Sequence, residues 1–189
     1  MAKTAKFSDC IADYNSIMKS IDARQFAPIY LLSGDEGYFI DAICDRLASS
    51  ILNEAERSFN QITVYGQDSD PGKIVMLCRQ MPMMGSYQVV IVKEAQQLSK
   101  IDNLQHYTSQ PQATTILIVC YKNKEQGRGI DKRTSFYKSC VKNGCVFESL
   151  RPRDYENHIV QYSLKPSSWL PYIPSLNNST MFNNFEFCT

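Results

Sequence analysis

The segment PIYLLSGDEGYFID, residues 28–41, decides the fold of this chain. It begins with the short apolar run IYLL, residues 29–32, bounded by Pro28 and Gly34. Such a run between two turn-forming residues is typical of a buried β-strand. The turn that follows leads into apolar residues at helical spacing, from Phe39 onward. A buried strand followed by an amphipathic helix is the repeating unit of an α/β protein, so the segment predicts that class.

The same alternation of apolar strands and amphipathic helices continues along the chain. Asp70 and Pro71 suit the first positions of a helix, and Gly144 suits the end of another. Because strands that are apolar throughout are buried on both faces, the sequence predicts an α/β domain, a three-layer parallel sheet with helices on both faces. Further strands are predicted at residues 59–65, 87–92, 114–121 and 145–147, and helices at residues 7–21, 39–51, 70–81, 94–107, 131–142 and 152–162.

Composition bounds the organisation of the chain. The 189 residues suit one α/β domain, which we place at residues 1–165. Residues 166–189 are rich in serine, asparagine and proline and carry few charges, so we expect a poorly ordered tail there. No apolar run is long enough to span a membrane, and the first residues lack the apolar core of a secretory signal. These features predict a cytoplasmic protein with no membrane partner.

The cysteines and histidines predict no metal site. The seven cysteines are scattered and odd in number, which favours reduced, buried thiols. Cys140 and Cys145 are the one close pair, and no second pair completes a zinc site with them. His106 and His158 each stand alone in the sequence. No arrangement of serine or cysteine with histidine and an acidic residue indicates a catalytic site either.

The turn after the first strand is where a phosphate-binding loop would lie. A working loop follows G-x-x-x-x-G-K-[ST], in which the lysine meets the phosphates and the hydroxyl binds magnesium. Counted from Gly34, the lysine position holds Ile40 and the hydroxyl position holds Asp41. Two acidic residues in the turn add negative charge where phosphate must approach. The degenerate loop comprises Gly34, Asp35, Glu36, Gly37, Ile40 and Asp41.

The end of the strand at residues 87–92 is where a nucleotide-binding domain would hold magnesium. In a nucleotide hydrolase this strand ends in an aspartate that helps to hold magnesium. Here Lys93 takes that position before Glu94, and a cation repels the metal. Both halves of the phosphate chemistry are therefore missing, which predicts no cofactor and no ATP hydrolysis. An ATP-binding domain with an unorthodox site stays open as an alternative, as does an ordinary strand-turn-helix with no ancestral site.

Three segments follow one another along the chain in a familiar order. They are PIYLLSGDE at residues 28–36, MPMMGSYQVVIV at residues 81–92 and DKR at residues 131–133. Together they resemble the N-terminal domain of the delta subunit of DNA polymerase III, a family of bacterial clamp loader subunits, from about residue 7 to about residue 162. The resemblance implies an AAA+-like fold that does not bind ATP. It also implies DNA replication as the process, and a non-catalytic accessory subunit of the DNA polymerase III holoenzyme, a nucleotidyltransferase complex.

The resemblance also implies a clamp-binding loop. In the family, adjacent apolar residues before the third strand insert into the sliding clamp and open it, and the corresponding positions here are Met83 and Met84. Met81 and Pro82 would shape their approach. The implied partners are the sliding clamp (beta subunit) and the other clamp-loader subunits. By residue type alone, clustered methionines are more often core residues, and the family position favours exposure instead.

The resemblance does not extend to the end of the chain. Family members continue into a helical lid domain and a helical collar domain, and the collar assembles the loader. Residues 166–189 resemble neither domain. The expectation is that the chain touches the clamp without joining the loader.

A basic segment lies between Tyr121 and Lys142. The net charge of +1 creates no general attraction to nucleic acid, so any such contact must be local. The segment suits either DNA phosphates or a solvated loop and helix face, and the solvated face is favoured. Three functions stay open: a clamp-binding module, an ATP-dependent enzyme, and a basic DNA-binding module that meets DNA indirectly or weakly. The basic residues are Lys122, Lys124, Arg128, Lys132, Arg133, Lys138 and Lys142, against Glu125 and Asp131. The candidates for DNA or subunit contact are Lys122, Lys124, Lys132 and Arg133.

Overall fold

Five parallel strands form the centre of the domain in a computed structural model, which describes residues 7–83, 85–123 and 129–151. They pair in the order β2-β3-β4-β1-β5, and every neighbouring pair is parallel. The predicted α/β class and parallel sheet are confirmed. The strands are β1 (Ile29–Gly34), β2 (Gln61–Tyr65), β3 (Gln88–Lys93), β4 (Thr115–Lys122) and β5 (Cys145–Ser149).

Helices and short turns connect the strands within the same residues. None of these helices is long and apolar enough to cross a membrane. Short 3-10 turns occur at Gly66–Asp68, Ala95–Gln97 and Ile101–Leu104. The α-helices are α1 (Phe7–Asp22), α2 (Gly37–Ser50), α3 (Glu54–Asn60), α4 (Pro71–Cys78), α5 (Gln105–Thr108) and α6 (Ser135–Asn143).

The direction in which each connection crosses the sheet decides which face its helices cover. The connection from β1 to β2 passes β4 and β3, and it carries α2 and α3. The three later connections run across the sheet in the opposite direction. Because crossovers between parallel strands are right-handed, the two directions place helices on opposite faces. Accordingly, α2 packs with α1 on one face, and α4, α5 and α6 share the other, which confirms the predicted three layers.

Alternate residues of the central strands point to opposite faces, so one sheet supports two cores. Leu31 of β1 belongs to a cluster with Tyr107 of α5 and Phe136 of α6, all of them buried. On the opposite face, the ring of Tyr14 on α1 packs edge-on against Phe39 of α2, with 5.2 Å between centroids. The strand residues in the first cluster are Ile29, Leu31, Val90, Val92, Leu117 and Val119.

The strand predicted from residue 59 begins at residue 61, because Phe59 and Asn60 end helix α3. A capping box starts this helix. The backbone N–H of Glu56 donates to the Asn53 side chain at 2.8 Å, and the backbone N–H of Asn53 donates to the Glu56 carboxylate at 3.0 Å. The spacing N-x-x-E signals such a helix start in the sequence, and our prediction overlooked it.

The prediction of one helix over residues 94–107 is wrong. The segment forms two 3-10 turns and the short α5. Glu94 and Lys100 adopt the left-handed conformation, with φ of 53° and 54°, which a right-handed α-helix cannot include. Leu98 and Leu104 are nevertheless buried against the sheet. Their spacing in the sequence therefore reflects burial and not a continuous helix.

Helix α6 begins at Ser135 rather than at the predicted residue 131. Thr134 is its N-cap and accepts a hydrogen bond from the backbone N–H of Tyr137 at 3.2 Å. Gly144 ends the helix, as predicted. The backbone of Gly144 is extended, which any residue can adopt. Glycine is needed because an added Cβ would lie 2.5 Å from the Ile29 carbonyl oxygen.

The described cysteines are unpaired, and most are buried. This confirms the prediction of buried thiols for Cys10, Cys44, Cys78, Cys120 and Cys140, while Cys145 is partly buried. Burial raises the pKa of the Cys78 thiol and that of the Cys140 thiol to about 12. The predicted helix at residues 152–162, the tail at residues 166–189 and Cys188 lie outside the described residues.

Because these two thiols are buried, we expect the free energy of unfolding to fall at alkaline pH. In the unfolded chain they ionise from about pH 9, whereas in the folded chain they keep their protons to about pH 12. The unfolded state therefore binds fewer protons in this window, and the free energy of unfolding should fall there by up to about 1.4 kcal/mol per pH unit for each thiol. Urea unfolding at a series of pH values measures this slope. The C78A/C140A variant should have a flatter slope, and an unchanged slope would contradict the assignment.

Candidate functional site

The carboxyl edge of the sheet forms a crevice between β1 and β4. After β1 the chain passes to α2 on one face, and after β4 it passes to α6 on the other. In open α/β sheets, ligands bind outside the carboxyl ends of the strands at such a reversal. The degenerate phosphate loop lies here, at the end of β1, and Lys93 lies at the end of β3. The structure thus places the degenerate phosphate loop and the degenerate magnesium position at the same edge of the sheet.

Backbone contacts hold the phosphate loop against β5. Gly34 has φ of 136°, and an added Cβ would lie 2.0 Å from the Ser149 carbonyl oxygen, so only glycine fits. The Asp35 N–H donates to that same oxygen at 2.9 Å. The Ser149 hydroxyl donates to the Glu36 carbonyl oxygen at 2.7 Å. The loop is therefore part of the sheet edge and lies against backbone.

The first turn of α2 carries its own anion. Glu36 is the N-cap, and its carboxylate accepts a hydrogen bond from the Tyr38 backbone N–H at 3.2 Å. In a phosphate-binding loop, the free N–H groups at this end of the helix meet the phosphate. Ile40, at the lysine position, is fully buried in the core. The site therefore lacks the cation and already holds a carboxylate.

An ion pair occupies the crevice. The Lys122 ammonium at the end of β4 lies 2.8 Å from the Asp41 carboxylate on α2. The Lys122 side chain also runs beside Gly37, where an added Cβ would lie 3.6 Å from its Cδ and Cε atoms. Partial burial lowers the pKa of Lys122, but the hydrogen bond and charge of Asp41 outweigh it and raise this pKa above its usual value. The sequence assigned Lys122 to a DNA or subunit contact, and it did not reveal this partner.

The residues of the degenerate magnesium site take part in the same arrangement. Lys93, the last residue of β3, is half-buried. Glu94 accepts a hydrogen bond from the Gln96 side-chain amide. The side-chain oxygen Oε1 of Gln96 in turn accepts from the Lys122 backbone N–H at 3.1 Å. No group of three histidine, cysteine, aspartate or glutamate residues that could hold a metal occurs within the described part of the chain.

The methionine loop, residues 81–85, lies at the opposite edge of the sheet, before the amino end of β3. The side chain of Met81 is 72% exposed and that of Met83 is 61% exposed. Pro82 between them is partly buried, and Met84 lies outside the described residues. Neither Met81 nor Met83 therefore packs into the core, and their role in clamp binding stays a prediction.

A residue that the sequence analysis missed anchors this loop. Asn60, the last residue of α3, is fully buried. Its Nδ2 donates to the Met83 carbonyl oxygen at 2.7 Å, and its Oδ1 accepts from the Met83 N–H at 2.6 Å. The sequence offers little signal for this role, since a single asparagine beside an apolar run resembles an ordinary turn residue.

Three described residues of the basic segment have acidic partners. The Lys132 ammonium lies 2.7 Å from Glu148, and the Arg133 guanidinium lies 3.0 Å from Asp131. Lys122 pairs with Asp41 in the crevice. Lys124, Glu125 and Arg128 lie outside the described residues. The pairs reduce the positive charge that this segment offers to DNA phosphates.

Comparison with known proteins places this geometry in a family. The family described as DNA polymerase III, delta subunit, matches residues 30–149. The DNA polymerase III subunit delta of Bacillus subtilis (strain 168) is 23% identical over 144 residues, a match that covers 70% of this chain and 40% of that relative.

One solved structure shows the same fold. The Bacillus subtilis DNA clamp loader delta protein superposes with a TM-score of 0.67 at 19% sequence identity, over 78% of this chain and 45% of that one. A DNA polymerase III gamma subunit-related protein from Thermotoga maritima is less similar, with a TM-score of 0.47 at 9% identity, over 79% of this chain and 49% of that one.

The matched region contains nearly the whole sheet, the degenerate phosphate loop and the methionine loop. The chain spans less than half the length of the relatives that it matches. Because the family match covers more than half of this chain, the chain belongs to the DNA polymerase III delta subunit family.

Proposed function

We propose that this chain is the clamp-contacting part of a clamp-loader delta subunit in DNA replication. In this proposal it binds the sliding clamp (beta subunit) through the methionine loop and hydrolyses no ATP of its own. The observation that carries the proposal is the contrast at Met83. Met83 is 61% exposed, while its backbone donates one hydrogen bond to the buried Asn60 side chain and accepts another from it.

The exposed side chains have the chemistry of a protein contact. Loops are usually polar where they meet water, and apolar side chains grouped on a surface mark interaction sites. Met81 and Met83 are unbranched and polarisable, so they can fill an irregular apolar pocket on a partner. Because the loop backbone is already anchored, it loses less conformational entropy when it binds a partner. A sliding clamp is the partner that family membership supports.

The crevice supports the absence of nucleotide chemistry. Glu36 occupies the first turn of α2, Ile40 is in the core, and Asp41 pairs with Lys122. A nucleotide would have to displace an anion and would bring phosphates to a site with no free cation among these residues. We therefore propose an accessory subunit that acts through binding alone. The basic segment carries no second proposal, since its described candidate contacts pair with carboxylates.

The first test of the proposal is the M83D variant. A carboxylate placed in an apolar pocket should weaken binding to the sliding clamp about tenfold to a hundredfold or more, because burying even a neutral polar group without a partner costs about 1–3 kcal/mol and a charge costs more. Surface plasmon resonance with immobilised clamp measures this, and circular dichroism checks the fold. M83L should keep most of the affinity.

The matched control is V141D. Val141 lies on α6 and is 55% exposed, similar to Met83, so the same charge is added to a different apolar surface position. Its clamp affinity should equal that of the parent. Equal affinity for M83D and V141D would remove the methionine loop from the contact.

A second test addresses nucleotide binding. Isothermal titration with millimolar MgATP should show no saturable heat for the parent chain. D41N should lose only about 0–1 kcal/mol of stability, since the pair is partly exposed, and should gain no ATP affinity because Ile40 stays buried. E148Q, which breaks the Lys132 pair outside the crevice, is the control for loss of one ion pair. Saturable ATP binding by the parent would overturn this part of the proposal.

A further inference from the structure

We infer that Asn60 is a positioning residue for clamp binding: its side-chain amide holds the Met83 backbone so that the methionine side chains stay outside the core. The inference rests on the proposed function and adds a residue that does not itself touch the partner. Asn60 is fully buried at the junction of α3 and β2, whereas Met83 is mostly exposed. The two residues are linked by hydrogen bonds across 23 positions of sequence.

The geometry is a two-point attachment to one residue. The amide Nδ2 donates to the Met83 carbonyl oxygen at 2.7 Å, and the amide Oδ1 accepts from the Met83 N–H at 2.6 Å. Both bonds are short for N–H···O contacts. A buried amide without partners is costly, so the loop backbone and the Asn60 side chain stabilise each other. Rotation of the loop about Met83 would break both bonds together.

Asparagine meets the requirements of this position closely. Its amide places a donor and an acceptor side by side, which matches the backbone C=O and N–H of a single residue. Aspartate would keep the acceptor and lose the donor, and would set a carboxylate against the Met83 carbonyl oxygen. Glutamine would be longer by one methylene, which the buried site does not accommodate without a shift.

The methionine loop also approaches the Asn60 amide closely at Gly85. An added Cβ at Gly85 would lie 2.8 Å from the Asn60 Nδ2 and 3.1 Å from the Glu56 Oε1. Glycine therefore permits the close approach of the loop to α3. The residues in contact with the amide, at positions 83 and 85, flank Met84 in the sequence. The predicted plug residue Met83 is therefore the one whose backbone the amide holds.

The helix that carries Asn60 is itself fixed. The capping box of Asn53 and Glu56 closes its first turn. The Arg57 guanidinium donates to the Ser49 carbonyl oxygen at the end of α2, at 2.9 Å. The attachment therefore runs from α2 through α3 to the methionine loop, so the position of the loop is set relative to the sheet. A loop without this attachment would sample several conformations, and only a fraction would suit the clamp.

The experiment compares N60A with T108V in the full chain. Thr108 is also fully buried, and its hydroxyl shares a 2.5 Å hydrogen bond with Ser139, on the face covered by α5 and α6. Three quantities are measured: resistance to urea, the exchange rate of the Met83 backbone amide hydrogen, and the dissociation constant for the sliding clamp. Both variants should be less stable than the parent.

Only N60A should change the loop and the binding. Its Met83 amide hydrogen should exchange about tenfold faster or more, and its dissociation constant should rise about tenfold or more, as expected when the competent fraction falls to about a tenth. T108V should keep the parental values of both. A purely structural role for Asn60 would lower stability and leave the affinity of the folded protein unchanged, which would overturn the inference.

Two further arms keep the outcomes distinct. G85A adds a methyl group against the Asn60 amide without removing it, so it tests the same contact if N60A does not fold, and it should weaken clamp binding in the same direction. Parental affinity in folded G85A, with N60A unfolded, overturns the inference. If the parent binds the clamp and N60A binds equally well, the inference alone fails. If the parent does not bind the clamp, the proposed function fails, and the role of Asn60 falls with it.

Discussion

Burial of both faces of the central strands is the constraint on which the rest of this structure depends. The β1, β3 and β4 strands are buried along nearly their whole length, so helices must cover the sheet on each side. The right-handed crossover then decides which helices lie on which face, because the connection from β1 to β2 runs against the other three. That reversal creates the crevice at the carboxyl edge. The methionine loop, which precedes β3, lies at the amino edge. Both candidate sites are consequences of this one arrangement.

The two edges of the sheet have opposite characters. At the carboxyl edge, polar groups face one another: Asp41 pairs with Lys122, and Glu36 caps α2. At the amino edge, a buried amide holds a backbone whose apolar side chains face outward. An edge whose charges are internally neutralised has little left for an anionic ligand, whereas exposed apolar atoms on a fixed loop favour a protein partner. This difference agrees with the proposed role of a subunit that works by contact.

The turn after β1 has a structural role of its own. Gly34 is still required, since its φ of 136° and its contact with β5 leave no space for a side chain. The packing of β1 against β5 therefore preserves the turn even where no phosphate is bound. Ile40 adds apolar volume to the core, which stabilises α2 on the sheet. The turn and its helix thus serve the fold.

The sequence by itself determined that the strands exist, that they are parallel, and that the phosphate-loop lysine is replaced by Ile40, because each depends on residue type and short-range spacing. It misplaced the segment at residues 94–107, where left-handed backbone at Glu94 and Lys100 interrupts an apolar pattern that still marks burial. Only the tertiary structure decided that Lys122 meets Asp41 and that Asn60 holds Met83. Those pairs join residues 81 and 23 positions apart, and such contacts exist only once the crossovers have brought the elements together. Local pattern specifies burial and periodicity, whereas partners for isolated polar side chains are set by packing.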